Sequence, residues 1–126
     1  MILALGGLIG FIAIAFGAYA EHGLRDIVTN EHFRFLMTAI RYNQVHAVVI
    51  VALGLTMMAN RELSRQKLLN WTSYLFIMGT GIFSFSIYIS VWLELPKLVN
   101  VTPVGGVLLM VAWLTLALAG YRAWRR

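Results

Sequence analysis

The sequence predicts an all-α membrane protein, a bundle of four transmembrane helices with a short amphipathic interfacial helix between the first and second spans. One observation is the stretch 68–93, which runs for 26 residues without a charged side chain. As a helix it would measure about 39 Å, more than the ~30 Å hydrocarbon core of a bilayer. The other is composition, because 60% of residues are hydrophobic and 12% are charged. Soluble helices keep a charged face, so the pattern disfavours a water-soluble bundle, which is the weak alternative.

Four uncharged runs define the domain organisation. They cover approximately residues 1–20, 42–60, 68–93 and 98–121, and each is long enough to cross a membrane. We expect one integral membrane domain over residues 1–126, without an attached catalytic module. Cysteine is absent, which excludes disulfides, thiolate metal sites and cysteine nucleophiles.

The first span contains a periodic set of small residues. It ends in Ala18-Tyr19-Ala20, similar to a signal-peptide cleavage site, but no Lys or Arg precedes the apolar run, so we expect a retained span. Steps of four and three residues put the small residues on one helix face. They include a Gly6–Gly10 GxxxG pair, which permits close approach of another helix. Because this pattern is common in membrane helices, packing within the bundle is favoured over a dimer contact. The set is Gly6, Gly10, Ala13, Gly17 and Ala20.

The segment 21–41 is the longest one with mixed charges. Asp26, Thr29 and Asn30 are typical helix-starting residues. The pattern that follows is amphipathic, with apolar Phe33, Leu36, Met37 and Ile40 opposite polar Glu31, Arg34, Thr38 and Arg41. It predicts a short helix lying on the membrane surface or docking over the mouth of the bundle as a lid.

The remaining spans follow from short connections and interfacial aromatic residues. The basic loop 61–67 is short and makes the second and third spans antiparallel neighbours. Aromatic belts are predicted at the two ends of the third span, from Trp71 and Tyr74 and from Tyr88 and Trp92. Pro96 ends that helix, Pro103 lies in the first turn of the fourth span, and Gly105-Gly106 permits close packing.

The net charge of +5 comes from short segments around the spans and not from one patch, so we expect no nucleic-acid partner. With four spans, both termini lie on the same side as loop 61–67. That side carries six basic residues, Arg61, Arg65, Lys67, Arg122, Arg125 and Arg126, against Arg25, Arg34, Arg41 and Lys97 on the other. Basic loops are enriched in the cytoplasm, so both termini are expected there.

A succession of motifs covers essentially the whole chain. They are Ala18-Tyr19-Ala20-Glu21-His22-Gly23-Leu24, Arg41-Tyr42-Asn43-Gln44-Val45-His46-Ala47, Phe83-Ser84-Phe85-Ser86-Ile87-Tyr88, and Thr102-Pro103-Val104-Gly105-Gly106 with Trp113. In this order they resemble the YgdD-like family of small inner-membrane proteins of unknown function. The resemblance implies a four-span protein of the bacterial inner (plasma) membrane and no established reaction, substrate or cofactor.

Polar side chains collect at the end of the bundle opposite the termini. This candidate cluster consists of His22, Tyr42, His46, Ser86, Tyr88 and Thr102. Ionisable groups at membrane depth are functional candidates because they are costly to bury there. The favoured interpretation is nevertheless structural, with His46, Tyr42, Ser86 and Thr102 pairing to hold the helices together. Glu21, His22 and His46 are the only candidates for a metal, and two histidines could flank a haem, but the spacing favours neither.

No catalytic constellation is present, since the serines lie in plain helix without a nucleophile elbow and no glycine-rich phosphate loop occurs. We therefore expect a non-enzymatic accessory protein without cofactors, whose partners are membrane lipids and either a second copy of the chain or another membrane protein. The alternative is a small oligomeric carrier or channel that uses the polar cluster. An enzyme acting on lipid or quinone is a third, more distant hypothesis.

Overall fold

The computed structural model describes residues 1–125, and these contain helices and connections without a β-strand. The helices are α1 (Ile2–Tyr19), α2 (Asn30–Ala59), α3 (Arg61–Arg65), α4 (Lys67–Trp92) and α5 (Thr102–Trp124). A π-helical segment, Ala20–Leu24, continues α1, and a 3₁₀ helix, Pro96–Val101, precedes α5. Four stretches are long and apolar enough to span a membrane, Ile2–Leu24, Asn30–Ala59, Lys67–Trp92 and Pro96–Trp124. The predicted all-α, four-span architecture is confirmed.

Local polar chemistry sets the helix ends. The Thr29 hydroxyl accepts a hydrogen bond from the His32 backbone N–H at 3.2 Å and caps α2. Asn60 caps α3 by accepting from the Glu62 backbone N–H at 2.9 Å. After α4, Glu94 adopts the left-handed conformation with φ 54°, and the Leu95 N–H bonds back to the Ser90 carbonyl at 2.9 Å. This is a Schellman-type ending, which usually places glycine where Glu94 stands.

The amphipathic segment is helical, but the prediction of a separate surface helix or lid is wrong. It forms the first turns of α2, which continues without a break for 30 residues, about 45 Å. No proline or glycine occurs in α2 between Asn30 and Gly54, so nothing in the sequence interrupts the helix there. Leu36 and Ile40 are buried against the C-terminal ends of α1 and α4. Their apolar face therefore does not contact the lipid surface.

The helices are arranged as a row. Extensive contacts join α1 to α2, α2 to α4, and α4 to α5, whereas α1 touches α4 only slightly. No Cα atom of α2 lies within 8 Å of a Cα atom of α5. Consequently α2 and α4 form the centre and α1 and α5 the flanks. We call the side with both termini and α3 the terminal side, and the side with residues 20–30 and 93–101 the loop side.

Glycines bring α1 close to α2 and α4 close to α5. A Cβ atom on Gly6 would lie 2.9 Å from the Val51 backbone N, and one on Gly54 would lie 2.6 Å from the Leu3 backbone N. Ala13 is fully buried in the same α1 face. The predicted small-residue face of α1 therefore packs inside the bundle, as expected. At the α4–α5 contact, Gly105 has the same role.

The predicted aromatic belts are only partly formed. Trp71 and Trp92 are exposed near opposite ends of α4, and Tyr74 is partly exposed. Tyr88, in contrast, is 2% exposed and lies in the core between α1, α2 and α4. Its hydroxyl forms a hydrogen bond inside the bundle, which offsets the cost of burying a polar aromatic side chain.

Candidate functional site

His46 forms hydrogen bonds through both ring nitrogens. Its Nδ1 lies 2.6 Å from the carbonyl oxygen of Tyr42, and Trp113 Nε1 lies 3.2 Å from its Nε2. A carbonyl only accepts and an indole N–H only donates, so the geometry requires the neutral tautomer with the proton on Nδ1. His46 is 5% exposed. His46 thus joins α2 to α5 and has no free nitrogen for a metal.

A second polar contact joins α2 to α4. Asn43 Nδ2 donates to the Tyr88 hydroxyl at 3.2 Å, and the Tyr88 ring stacks on Phe16 of α1 with centroids 4.0 Å apart. Near by, the Ser84 hydroxyl donates to the Ala39 carbonyl at 3.1 Å. Asn43, Ser84 and Tyr88 are all buried, so these bonds lie out of reach of bulk water. Their arrangement fixes the rotation of α4 against α2.

Hydroxyl pairs join α4 to α5 at both ends. Ser86 and Thr102 lie 2.7 Å apart near the loop side, and Thr72 donates to Thr115 at 2.9 Å near the terminal side. Ser86 also bonds to the carbonyl of Phe83 at 3.0 Å. Each hydroxyl therefore has a protein partner.

His22 lies apart from the rest of the predicted cluster. It is exposed in the π-helical segment, where Glu21 forms an ion pair with Arg25. Within residues 1–125, no hydrogen bond or ion pair joins His22 to another side chain, and no three His, Asp or Glu residues are close enough to share a metal ion. The hypothetical ligand set Glu21, His22 and His46 is not brought together.

The structure thus divides the candidate cluster into separate contacts. Within the candidate cluster, Ser86 and Thr102 are the one pair that forms a hydrogen bond between two hydroxyls. The backbone carbonyl of Tyr42 accepts from His46, and Tyr88 bonds to Asn43. The sequence did not identify Asn43 as the hydrogen-bond partner of Tyr88, or Trp113 as the partner of His46. A signal was available for Trp113, because a tryptophan midway along a span is away from the interfaces where this residue usually lies.

A lateral groove runs between α2 and α5, where their backbones stay apart. Its volume is about 720 Å³, and α4 forms its floor through Phe83. The Tyr42 ring stacks on Phe83 with centroids 4.5 Å apart and forms part of one wall. Arg41 is the only charged residue in the lining. The other lining residues are Tyr42, Val45, His46, Phe83, Pro103, Gly106, Val107, Leu109, Met110 and Trp113.

The groove extends from the loop side to about the middle of the bundle. Along α5 its lining runs from Pro103 to Trp113, ten residues and therefore about 15 Å. The hydrogen bond between Trp113 and His46 crosses its inner end. Half of a ~30 Å hydrocarbon core is also about 15 Å, so the groove has the depth of one leaflet. Arg41 is exposed at the outer end.

Four apolar helices, an apolar groove and internal polar pairs define a small multi-pass integral membrane protein. The family model described as "Protein of unknown function (DUF423)" matches residues 16–106. The chain belongs to this family, and the resemblance found in its motifs is confirmed.

Curated relatives match over almost their whole length. The UPF0382 inner membrane protein YgdD of Escherichia coli K12 is 30% identical over 124 residues, covering 98% of this chain and 92% of the relative. A UPF0382 membrane protein of Haemophilus influenzae is 28% identical over 121 residues, 96% of this chain and 94% of the relative. A third, SAB0533 of Staphylococcus aureus, is 27% identical over 122 residues, 97% and 96% respectively. No solved structure matches.

Proposed function

We propose that this protein is a non-enzymatic lipid-binding membrane protein, which holds the acyl chain of a phospholipid in the groove between α2 and α5. The observation that carries the proposal is the groove itself, an apolar cleft of about 720 Å³ between two spanning helices. Its position favours the leaflet on the loop side as the source of the lipid.

The polar groups support binding over catalysis. His46 and Trp113 bond to each other, and Ser86 and Thr102 do the same, so the groups that could act on a substrate are already paired. These pairs lie at separate helix contacts and do not line one continuous route. The oligomeric carrier remains a prediction, and no feature of the groove favours it over lipid binding.

The shape of the groove supports an acyl chain as the occupant. The walls are aliphatic and aromatic. Burying an apolar chain contributes roughly 25 cal/mol for each Å² removed from water, but only where the chain was in contact with water before. Inside a bilayer the gain comes instead from close packing. A cleft about 15 Å long that is bounded by α2, α4 and α5 offers such packing on three sides.

We place the protein in the inner membrane with both termini in the cytoplasm. The E. coli relative is named an inner membrane protein, and six basic residues on the terminal side against four on the loop side favour this orientation. Reporter fusions to the carboxyl terminus test it: activity of a cytoplasmic reporter supports the orientation, and activity of a periplasmic one overturns it.

The lipid proposal is tested by filling the groove. Val107 lines it and Val104 does not, although both lie on α5 and are 53% and 54% exposed. Val107→Trp is expected to remove the bound lipid, and Val104→Trp, the matched control, to keep it. The measurement is native mass spectrometry of each variant extracted in mild detergent, with circular dichroism to compare their helix content.

Two results would contradict the proposal. Equal lipid retention by both variants would place the lipid elsewhere on the surface. A lipid-free dimer in the wild type, converted to a monomer by Val107→Trp but not by Val104→Trp, would identify a second copy as the occupant of the groove.

A further inference from the structure

We infer that Arg41 makes the groove selective for phospholipids with a net negative headgroup. This inference rests on the proposed function, because it names the class of lipid that the same groove would take. It concerns the outer end of the groove, where the apolar lining meets the membrane surface.

Arg41 marks the loop-side end of the uncharged stretch of α2. It is the last charged residue of α2 before the uncharged run of residues 42–60. The residues that line the groove beyond it are uncharged, so the cation stands at the end where a lipid headgroup would be. A chain seated along α5 from Pro103 to Trp113 would leave its headgroup at the level of Arg41.

The guanidinium is available to a ligand. Within residues 1–125 the one ion pair is that between Arg25 and Glu21, so Arg41 has no acidic partner inside 4 Å. Arg34 and Arg25 each lie over an aromatic ring, Phe35 and Phe33, whereas no such contact involves Arg41. A guanidinium offers five donors in a planar fork that fits two phosphate oxygens.

Headgroup charge should decide which lipid binds best. Phosphatidylglycerol has a net charge of −1, whereas the ammonium group of phosphatidylethanolamine cancels the charge of its phosphate and is repelled by the arginine. One cation near a membrane surface favours anionic lipid by about fivefold, the equivalent of ~1 kcal/mol. Salt should weaken the preference, since the headgroup region is partly screened.

Arg34 offers a matched control. It is the same residue type on the same helix, seven residues earlier, and so lies on nearly the same face about 10 Å further from the groove. Arg34→Gln changes the net charge by the same amount as Arg41→Gln. A preference caused by overall charge would respond equally to both substitutions.

The test uses the full chain in mild detergent with equimolar phosphatidylglycerol and phosphatidylethanolamine, and native mass spectrometry counts each bound lipid. We expect the wild type and Arg34→Gln to retain about five phosphatidylglycerol molecules for each phosphatidylethanolamine. Arg41→Gln should retain a similar total of lipid with a ratio near one. Arg41→Lys should restore part of the preference, because it restores the charge without the fork.

Failure of this inference can be told from failure of the proposed function. Equal retention of the two lipids by the wild type, or an equal loss of preference in Arg34→Gln and Arg41→Gln, would overturn the role of Arg41 while lipid binding stands. Lipid retained by Val107→Trp as strongly as by Val104→Trp would refute the groove as the lipid site. Helix content equal to that of the wild type is required of each variant before its ratio is compared.

Discussion

Substituting Gly105 by alanine should separate α4 from α5. A Cβ atom at this position would lie 2.4 Å from the backbone N of Phe83, 2.7 Å from its Cα, and 2.9 Å from the carbonyl oxygen of Gly79. All three atoms belong to the backbone of α4 and cannot rotate away. Since carbon atoms pack at about 3.5–4 Å, α5 has to move outward by roughly 1 Å.

The expected loss of stability is the balance of three terms. Overpacking costs about 1–3 kcal/mol. The shift also strains the Ser86–Thr102 hydrogen bond, one turn away at 2.7 Å, and such bonds contribute about 0.6 kcal/mol between membrane helices. Against these, alanine is favoured over glycine in a helix by ~1 kcal/mol. We therefore expect Gly105→Ala to lower the free energy of unfolding by about 0.6–2.6 kcal/mol.

The assay is unfolding by dodecyl sulfate in mixed micelles, followed by tryptophan fluorescence. Gly120→Ala is the control, because it lies on the same helix and a Cβ there meets nothing within 4 Å. It should be neutral or stabilising by up to ~1 kcal/mol. Equal stability of Gly105→Ala and Gly120→Ala would refute the close approach of the two helices.

Three further experiments use the same unfolding assay. Glu94→Gly should stabilise by about 0.5–1 kcal/mol, because it removes the left-handed strain of a side-chain-bearing residue at φ 54°; destabilisation would contradict that conformation. A double-mutant cycle of Asn43→Ala and Tyr88→Phe should give a coupling of about 0.6 kcal/mol, and zero coupling would mean that the two side chains do not bond. His46→Ala should lower stability by about 1–3 kcal/mol, because it leaves the Trp113 N–H without its partner; unchanged stability with loss of a bound species would indicate a ligand site instead.

Sequence patterns were sufficient for the spans and for the close helix contacts. Uncharged runs locate the four spanning helices because charge is costly in hydrocarbon at any rotation of the helix. The small residues of α1 recur at helical spacing and form a face without large side chains. Such a face allows another helix to pack closely against it. Gly6 and Gly10 accordingly pack against α2, near Val51 and Ala47.

The first turns of α2 show where this reasoning stops. Leu36 and Ile40 form an apolar stripe that would suit a lipid surface or a protein surface equally well. Which surface covers it depends on the positions of Leu24, in the segment before α2, and of Ile87, which comes from α4. Periodicity describes one helix at a time and has no information about its neighbour.

The polar cluster shows the same limit at the level of side chains. Tyr42 and Tyr88 lie toward the loop side and His46 near the middle of the bundle, and their hydrogen-bond partners depend on helix rotation and on which helices are adjacent. A closed bundle would have placed α5 against α2 along its length. In the observed row, the His46–Trp113 bond crosses an open groove, a feature that needs the tertiary arrangement.

The row of helices also has a consequence for assembly. Neighbours in sequence form two hairpins, α1–α2 and α4–α5, each closed by glycine contacts, and the first can fold before the second is synthesised. Asn43, Ser84 and His46 then provide hydrogen bonds across the line where the hairpins dock. The groove has one wall from each hairpin and exists only after docking. Any molecule that fills it binds both halves at once, and its free energy of binding is added to the free energy that holds the two hairpins together.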